Sequence, residues 1–423
     1  MTSSIESPAR RSQTVAPARR PGVGSLVLLA SIVISFLAAS SAPTPLYATY
    51  AAKWRFSPIT TTVVFGVYAI AVLLSLLVLG RLSDHIGRRP MLLVALALQI
   101  AAATVLTTAG DVEALFLGRI LQGDSTGGAI GALGAGMLDV DRRRGTLANA
   151  AVPGIGTGVG ALVSGWLVQY APAPTHLVYL VLISVFAIQA VAVIRMPETV
   201  SRKPGARAAL RPELAVPSSL RGPVLAAAPI LFAVWALAGF YGSLGPTLAR
   251  HLSGSTSTVV AGLGLFLLAV TASLSALVLD RTPPRRVMLL GIAVLAASAI
   301  ATLVAIDSES TLGFFASTLL AGVGFGAGFQ GGIRTVVHRA APHERAGVLS
   351  VLYIACYLGM GAPSVVAGVL VVHGGGLIDT ARDYTLFVLV LSAAALAGLL
   401  LTNTSARSGR QAEADGPTGF RES

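Results

Sequence analysis

Residues 61–90 read TTVVFGVYAIAVLLSLLVLGRLSDHIGRRP, an apolar run followed at once by a short stretch crowded with charge. About 20 predominantly apolar residues are enough to carry an α-helix across a bilayer, and the run from Thr61 to Gly80 has that length. The charged stretch ends at Pro90, where the next apolar run begins. The segment therefore predicts a membrane helix, a tight polar turn and the start of a second membrane helix.

The same alternation extends along all 423 residues. It predicts a first set of spans near residues 25–46, 61–80, 90–109, 113–137, 147–170 and 177–195. A second set is predicted near 223–247, 258–279, 287–306, 311–333, 346–372 and 384–402. The divisions at 110–112 and 307–310 each depend on two acidic residues. The fold class predicted is an all-α integral membrane protein with twelve transmembrane helices in two six-helix repeats.

Composition supports lipid as the solvent. The chain is 54% hydrophobic and only 11% charged, against roughly 25% charged in soluble domains. Its net charge of +12 lies in short clusters between apolar runs, so we expect no nucleic-acid partner. The single cysteine, Cys356, excludes an internal disulfide. The sequence shows no zinc spacing, phosphate-binding loop or nucleophile elbow, so we expect neither an enzyme nor a bound metal or cofactor.

The basic residues predict the orientation. Of 30 Lys and Arg residues, four (Lys53, Arg55, Arg250 and Arg382) fall in one set of loops, Arg119 falls within a span, and the remaining 25 share the other side. Because cytoplasmic loops carry an excess of Lys and Arg, both termini are predicted to be cytoplasmic in a multi-pass protein of the cell membrane.

These signals divide the chain into five parts. We expect a cytoplasmic tail at 1–22, a six-helix half at 23–196, a cytoplasmic linker at 197–222, a second half at 223–403 and a second cytoplasmic tail at 404–423. The tails are polar and are expected to be disordered. The partners expected are membrane lipid and a small-molecule substrate, and the protein is expected to be a monomer.

The two halves resemble each other. Asp84 and Asp280 each stand before a tight turn and a pair of arginines, 196 residues apart. Glycines at 156 and 158 correspond to glycines at 359 and 361, 203 residues on. Repeats of this kind are a known transporter design in which the substrate site lies between the repeats near mid-membrane.

The loop at 80–90 resembles the motif that joins helices 2 and 3 in the major facilitator superfamily. The matching residues are Gly80, Leu82, Asp84, Gly87, Arg88 and Arg89. The run from Arg119 to Gly123 resembles that superfamily's fourth-helix motif, and Pro197-Glu198-Thr199 is similar to a signature after its sixth helix. The resemblance implies a twelve-helix transporter of a bacterial, drug-efflux-like branch. Span 5 is rich in glycine but lacks the Gly-Pro-x-x-Gly-Gly order of the drug antiporters, so antiport and the direction of transport stay open.

The motif predicts a gate at the cytoplasmic ends of the helices. We expect its members to be Gly80, Asp84, Gly87, Arg88, Arg89 and Asp139. Gly80 would let span 2 approach the other half, and Asp84 would accept hydrogen bonds at the start of span 11, near Glu344 to Gly347. Arg88 or Arg89 would pair with Asp139 or Asp141. The alternative is that the basic residues of this loop only hold it on the cytoplasmic side of the membrane.

Two charges within span 4 are candidates for proton coupling, since charges inside a membrane are rare and usually functional. Arg119 and Asp124 lie about 140° apart around a helix, which is not an ideal same-face pair. We predict Asp124 as the coupling carboxylate with Arg119 tuning it. The alternatives are that Arg119 is pinned by helix carbonyls and that Asp124 makes a local hydrogen bond or binds a substrate cation.

Polar and aromatic residues within the spans are candidates for a substrate cavity, since pockets combine apolar walls with a few placed polar groups. The candidates are Tyr68, Gln122, Gln169, Trp235, Tyr241, Gln330, Tyr353 and Tyr357. Anchoring at the headgroup level is the alternative for the aromatic ones, and it is the expectation for Tyr47 and Tyr50 near a span end.

The function predicted is secondary active transport, namely proton-coupled efflux of small amphipathic or drug-like compounds by alternating access. The proton gradient is the expected energy source. The alternative within this class is a transporter of a defined metabolite such as a sugar or amino acid. A membrane receptor or enzyme would need a nucleophile, a metal set or a soluble domain, none of which the sequence shows.

Overall fold

The computed structural model describes residues 22–414, with side chains through residue 400. Twelve long helices, α1 to α12, make up most of this part of the chain. They are Val23–Trp54, Pro58–Leu79, Arg88–Thr107, Val112–Val140, Arg142–Tyr170, Pro174–Arg195, Ser218–Ser243, Thr258–Val278, Pro284–Asp307, Thr311–Val337, Arg345–His373 and Gly376–Ala414. Eleven are long and apolar enough to cross a membrane. The exception, α4, has 29 residues but is diluted by glycines and polar side chains. The predicted all-α membrane fold class is confirmed.

The predicted breaks at 110–112 and 307–310 each separate two helices in the structure, and the second helix of each pair begins with a polar cap. Asp111 caps α4, since its Oδ1 accepts a hydrogen bond from the amide of Ala114 at 2.8 Å. Ser310 caps α10 through the amide of Gly313 at 3.0 Å. In each case a polar side chain satisfies an amide that the helix leaves unpaired.

The last helix differs from the prediction at both ends. It begins at Gly376, eight residues before the predicted 384, because its polar first turns are held by ion pairs that hydropathy does not register. Arg382 pairs there with Asp307 at 2.8 Å and with Asp379 at 3.2 Å. The helix continues to Ala414, so part of the predicted tail at 404–423 is helical. The predicted disorder of 1–21 and 415–423 lies outside the described residues.

The first helix of each half is interrupted at a proline. In α1 the regular helix ends at Ser41, a 3-10 turn follows at Thr44–Leu46, and helix resumes at Tyr47–Trp54. After α7 the chain continues as a separate helix, Gly245–Ser253. Pro45 and Pro246 are 201 residues apart, which matches the offset of the sequence repeat.

Buried apolar residues form two large clusters, one drawn mainly from residues 26–196 and the other mainly from residues 220–399. Helix α2 of the first half packs on α11 of the second, and α5 packs on α8. Glycine makes these approaches possible: a Cβ added at Gly262 would lie 2.5 Å from the carbonyl oxygen of Ala161. A Cβ added at Gly361 would lie 3.4 Å from that of Ala69.

Hydrogen bonds join the two halves at more than one level. We call the end carrying the loops around residues 80–87, 196–217 and 279–283 the basic end, and the other the opposite end. Near the opposite end the Thr44 hydroxyl of α1 donates to the carbonyl of Gly242 in α7 at 3.2 Å. The Thr258 hydroxyl of α8 donates to the carbonyl of Gly165 in α5 at 2.7 Å. Closer to the basic end, the Ser273 hydroxyl of α8 donates to the carbonyl of Ala151 in α5 at 2.8 Å. The halves are therefore joined at the opposite end and along α5 and α8.

Candidate functional site

Arg119 lies about two turns into α4 and is only 1% exposed. Its Nη1 donates to the carbonyl of Ser40 at 2.8 Å and to Oε1 of Gln122 at 2.9 Å. The guanidinium carbon stands 4.1 Å from the ring centroid of Tyr68, close enough for a cation–π contact. Predicted residues Arg119, Gln122 and Tyr68 thus form one cluster between α4, α1 and α2, which we call the Arg119 cluster.

The break in α1 explains why this cluster forms. Pro43 has no N–H, so the carbonyl of Ala39 loses the donor that an unbroken helix would supply. The side-chain amide of Gln122 donates to that carbonyl at 3.1 Å. Three residues further along α1, the hydroxyl of Ser164 in α5 donates to the carbonyl of Ala42 at 2.6 Å. Side chains of α4 and α5 therefore satisfy backbone groups that lipid could not.

Tyr47 was expected to anchor at the membrane surface, but it is 4% exposed and its hydroxyl has no hydrogen-bond partner. It lies within range of the Arg119 charge because the break in α1 turns the second part of the helix inward. Tyr50 is also buried, and its hydroxyl bonds to that of Tyr179 at 3.3 Å. The sequence carried a signal for this burial in Pro43 and Pro45.

Asp124 faces another direction. Gly123 packs against Ala71 of α2, and the hydroxyl of Ser125 donates to the carbonyl of Ala95 in α3 at 2.7 Å, so Asp124 projects between these two helices. Ile120, one turn earlier on this face, is 39% exposed. No hydrogen bond or ion pair of the Asp124 carboxylate occurs in the described part of the chain. Asp124 forms no ion pair with Arg119 among the described residues, as their separation of about 140° around the helix predicts.

Three predicted cavity residues come together in the second half. The ring centroid of Trp235 in α7 lies 4.7 Å from that of Tyr357 and 5.9 Å from that of Phe329. The ring centroids of Tyr357 and Tyr353 are 6.5 Å apart. Both tyrosines and Trp235 also pack against the apolar cluster of the first half. The indole Nε1 of Trp235 is buried and has no hydrogen-bond partner in the described part of the chain. We call Trp235, Phe329, Tyr353 and Tyr357 the aromatic group; it lies where the two halves meet.

The other three cavity candidates lie elsewhere. Tyr241 is inside the core of the second half, where its hydroxyl is 2.8 Å from that of Thr318 and its ring stacks on Phe314. Gln330 donates to the carbonyl of Ala276 at 3.1 Å, joining α10 to α8. Gln169 accepts from the amide of Thr258 at 3.0 Å and so joins the halves near the opposite end. The structure does not gather all eight candidates into one cavity.

A cavity of about 260 Å³ opens between the halves near the opposite end, and we call it the vestibule. Its walls come from both interrupted helices, from the start of α2 and from the end of α11. Tyr47 and Arg250 are among the residues that line it, and its lining includes no acidic residue.

At the basic end the predicted motif forms a network within the first half. Arg88 pairs with Asp84 at 2.6 Å and with Asp139 at 3.3 Å, so the expected contact with Asp139 is present. Two expected contacts with the second half are wrong for this structure. Gly80 approaches Gly131 of α4 and not a helix of the other half. Asp84 binds Arg88 and not the start of α11, where Ala215 of the linker packs against Gly347.

The linker occupies the place expected for that contact. Glu213 pairs with Arg81 at 2.7 Å, and the backbone carbonyl of Pro204 lies 3.0 Å from the ring of His85. Farther along the linker, Ala215 packs against Gly347 in the first turn of α11. The linker therefore touches both halves at the basic end.

Glu198 is a residue whose role the sequence did not reveal. Its two carboxylate oxygens accept hydrogen bonds from the amides of Arg88 and Arg89 at 2.9 and 3.0 Å, so it caps the start of α3. Gly87, with φ +101°, has no room for a Cβ because Glu198 would lie 2.6 Å from it. The signal was present in the Pro-Glu-Thr signature, but its target could not be found without the tertiary structure.

Replacing Glu198 with alanine should lower the free energy of unfolding by about 1 kcal/mol, the scale of a carboxylate at a helix N-terminus. Thermal unfolding in detergent measures the change. Glu213→Ala is the matched control, because that exposed pair with Arg81 contributes about 0–1 kcal/mol. Equal unfolding temperatures for wild type and Glu198→Ala would show that the cap is not stabilising.

Two six-helix bundles that meet across close glycine contacts, with an aromatic group and a vestibule between them, define a membrane transporter. The sequence matches the Major Facilitator Superfamily over residues 28–362, and the chain belongs to that family. A segment of 74 residues is 38% identical to a protein of Rickettsia bellii (strain RML369-C) described as an uncharacterized transporter. That match covers 17% of this chain and 18% of the relative.

Two solved structures share the fold. The nucleoside transporter NupG superposes with a TM-score of 0.65 at 13% identity, over 89% of this chain and 98% of its own. The human organic anion transporter MFSD10 (TETRAN) gives a TM-score of 0.64 at 18% identity, over 91% and 99%. At these identities the likeness concerns the fold. The chain is a transporter and not an enzyme.

Proposed function

We propose that this protein is a proton-coupled secondary transporter that exports small amphipathic compounds by alternating access. The observation that carries this proposal is the aromatic group, which presents flat apolar surface where the halves meet. The indole Nε1 of Trp235, which has no partner among the described residues, adds a single polar group to this surface. Apolar walls with a few placed polar groups suit a ligand that is part apolar and part polar.

The two structural neighbours support a small organic solute, since one is described as a transporter of nucleosides and the other of organic anions. The distribution of Lys and Arg supports a cytoplasmic location for the basic end. In that orientation the vestibule faces outward and the present state is joined on the outer side. The transport step would separate the halves there and bring them together at the basic end.

Asp124 is the proposed proton site because the described helices hold no other carboxylate near the middle of a span. Its position between α2 and α3 implies coupling through helix packing. The Ser75 hydroxyl of α2 donates to the backbone carbonyl of Asp124 at 2.6 Å, so α2 and α4 touch at this residue. Since α2 also packs on α11, a change in charge at Asp124 would reach the contact between the halves through a single helix.

Asp124→Asn should reduce uphill transport at least tenfold while downhill exchange of the same compound continues, because the variant keeps the side-chain shape but cannot exchange a proton. Inverted vesicles with a panel of labelled compounds, with and without an imposed pH gradient, measure both. Glu113→Gln removes an exposed carboxylate from the first turn of the same helix and serves as the control. Unchanged uphill transport by Asp124→Asn at matched protein levels would remove Asp124 from the mechanism.

A further inference from the structure

We propose that the Arg119 cluster binds the acidic group of the substrate, so that the transported compounds are organic monoanions with an aromatic or otherwise apolar body. This inference rests on the proposed transport function and names its substrate class. The Arg119 guanidinium is buried, and only part of its hydrogen-bonding capacity is used. A guanidinium offers five N–H donors, yet in this structure only Nη1 has hydrogen-bond partners. Nε and Nη2 have none among the residues that the structure describes.

The two free nitrogens lie on the same edge of the guanidinium. The N–H of Nε and one N–H of Nη2 point in parallel from that edge, the geometry that receives both oxygens of a carboxylate. The opposite edge is used by the carbonyl of Ser40 and by Gln122, and one face is covered by Tyr68. The protein therefore fixes the group on two sides and leaves one bidentate edge unused.

No carboxylate of the described residues fills that edge. The ion pairs of the described residues do not include Arg119, and Asp124 points between α2 and α3. A charged group within the membrane is costly to bury unless it is paired. An anionic substrate would supply the missing negative charge. Because its binding would remove the cost of burying an unpaired cation, the site would bind anions more tightly than neutral compounds.

Tyr47 lies between the vestibule and the Arg119 cluster. The buried hydroxyl of Tyr47 is also without a partner and lies within range of the Arg119 charge. Tyr47 lines the vestibule, where Arg250 supplies a second cation and the lining includes no acidic residue. An anion entering or leaving through the vestibule meets Arg250 and then Tyr47, whose hydroxyl can donate to it, before Arg119.

The neighbouring surfaces favour an organic anion over an inorganic one. Tyr68 of α2 lies within electrostatic range of Tyr357 of the aromatic group, where α2 packs on α11. A compound whose carboxylate lies on Arg119 would thus have aromatic side chains beside its body. Flat aromatic carboxylates satisfy both requirements, because ring stacking and a bidentate acceptor then act on one molecule.

The test compares aromatic carboxylates with their own carboxamides, which share the ring and lose the charge. The first pair is 2-naphthoate and 2-naphthamide, within a panel of such pairs. Binding is measured by thermal stabilisation of the full-length protein in detergent, and transport by uptake into proteoliposomes. We expect the wild type to prefer carboxylates by about 10- to 100-fold, the scale of hydrogen bonds to a charged group. A panel in which no carboxylate binds more tightly than its amide overturns the inference.

The variants locate the preference. Arg119→Gln should abolish it, and Arg119→Lys should retain part of it, since lysine keeps the charge without the bidentate edge. Tyr47→Phe, which removes one hydroxyl and disturbs packing little, should reduce carboxylate affinity about three- to tenfold and keeps the test decisive where Arg119→Gln does not fold. Arg250→Gln should slow carboxylate uptake, because it removes the cation that lines the vestibule. Arg382→Gln is the control: it removes a cation at the same end of the molecule but outside the vestibule, and it should leave carboxylate uptake unchanged. Full carboxylate preference in Arg119→Gln or unchanged affinity in Tyr47→Phe contradicts the site.

The same measurements separate this inference from the function on which it rests. Carboxamides moved by a pH gradient as well as their carboxylates would disprove the anion site and leave proton-coupled transport standing. Carboxylate binding that depends on Arg119, with no response of transport to a pH gradient, would support the site and disprove the coupling.

Discussion

Oxidation of an Ala69→Cys/Gly361→Cys variant should stop transport, and a reducing agent should restore it. A Cβ at residue 361 would lie 3.4 Å from that of residue 69, close to the roughly 3.5–4.5 Å that a disulfide requires. Ala69 belongs to α2 and Gly361 to α11, so the bond would tie the two halves at the level where they touch. If transport needs the halves to separate there, we expect complete loss in the oxidised protein.

The experiment is done in a Cys356→Ala background, which leaves the introduced pair as the only cysteines. Alkylation followed by mass spectrometry measures the disulfide, and uptake into proteoliposomes measures transport. An Ala305→Cys/Gly313→Cys variant is the matched control, since its Cβ atoms would lie 3.1 Å apart within the second half. Cross-linking that control should leave transport intact. Normal transport by the fully oxidised Ala69–Gly361 pair would show that α2 and α11 stay together throughout the cycle.

Gly262→Ala should reduce transport about 5- to 150-fold without unfolding the protein. The added methyl would lie 2.5 Å from the carbonyl oxygen of Ala161, so α5 and α8 could not approach as they do here. Overpacking of this kind costs about 1–3 kcal/mol, which shifts a conformational equilibrium by that factor. Each half keeps its own apolar core, and the cost therefore falls on the state in which the halves are joined at the opposite end.

The control lies two residues along the same helix. A Cβ at Gly264 would make ordinary contacts of 3.5 and 3.6 Å with the ring of Tyr241, so Gly264→Ala should transport like the wild type. Gel filtration and thermal unfolding establish that both variants are folded. Equal transport by the two variants would mean that the close contact of α5 and α8 is not part of the cycle, and a loss of folded Gly262→Ala would assign that contact to stability.

Hydropathy predicted the helices well because lipid imposes a length and a composition on every span. It failed at α12, whose first turns are polar and held by the pairs of Arg382. Charge patterning predicted that Arg88 or Arg89 would pair with Asp139 or Asp141, since these residues were predicted at the same end of their helices. The structure contains the pair of Arg88 and Asp139. Such predictions depend on one-dimensional spacing, which the membrane converts directly into depth.

The candidate site was harder to predict because it depends on which way each side chain turns. Asp124 and Arg119 share a span, yet the packing of Gly123 on α2 and Ser125 on α3 fixes Asp124 between those helices. Tyr47 looked interfacial until the break in α1 turned it inward. Glu198 stood in a visible signature, but its role depends on the end of α6 lying beside the start of α3. The direction in which a side chain points and the helices that lie beside it are set when the helix bundle assembles. The spacing of residues in the sequence does not contain this information.

Pro43 and Gln122 should evolve as a pair. The proline leaves the carbonyl of Ala39 without its helical donor, and the glutamine side chain supplies one at 3.1 Å. A lineage that replaced Pro43 with a residue carrying an N–H would repair the helix and relax selection on Gln122. A lineage that lost Gln122 first would pass through an intermediate with an unsatisfied carbonyl in lipid, which is costly. Substitutions at residue 43 would therefore precede those at residue 122. This order of change along a family tree would show that the need for Gln122 depends on Pro43.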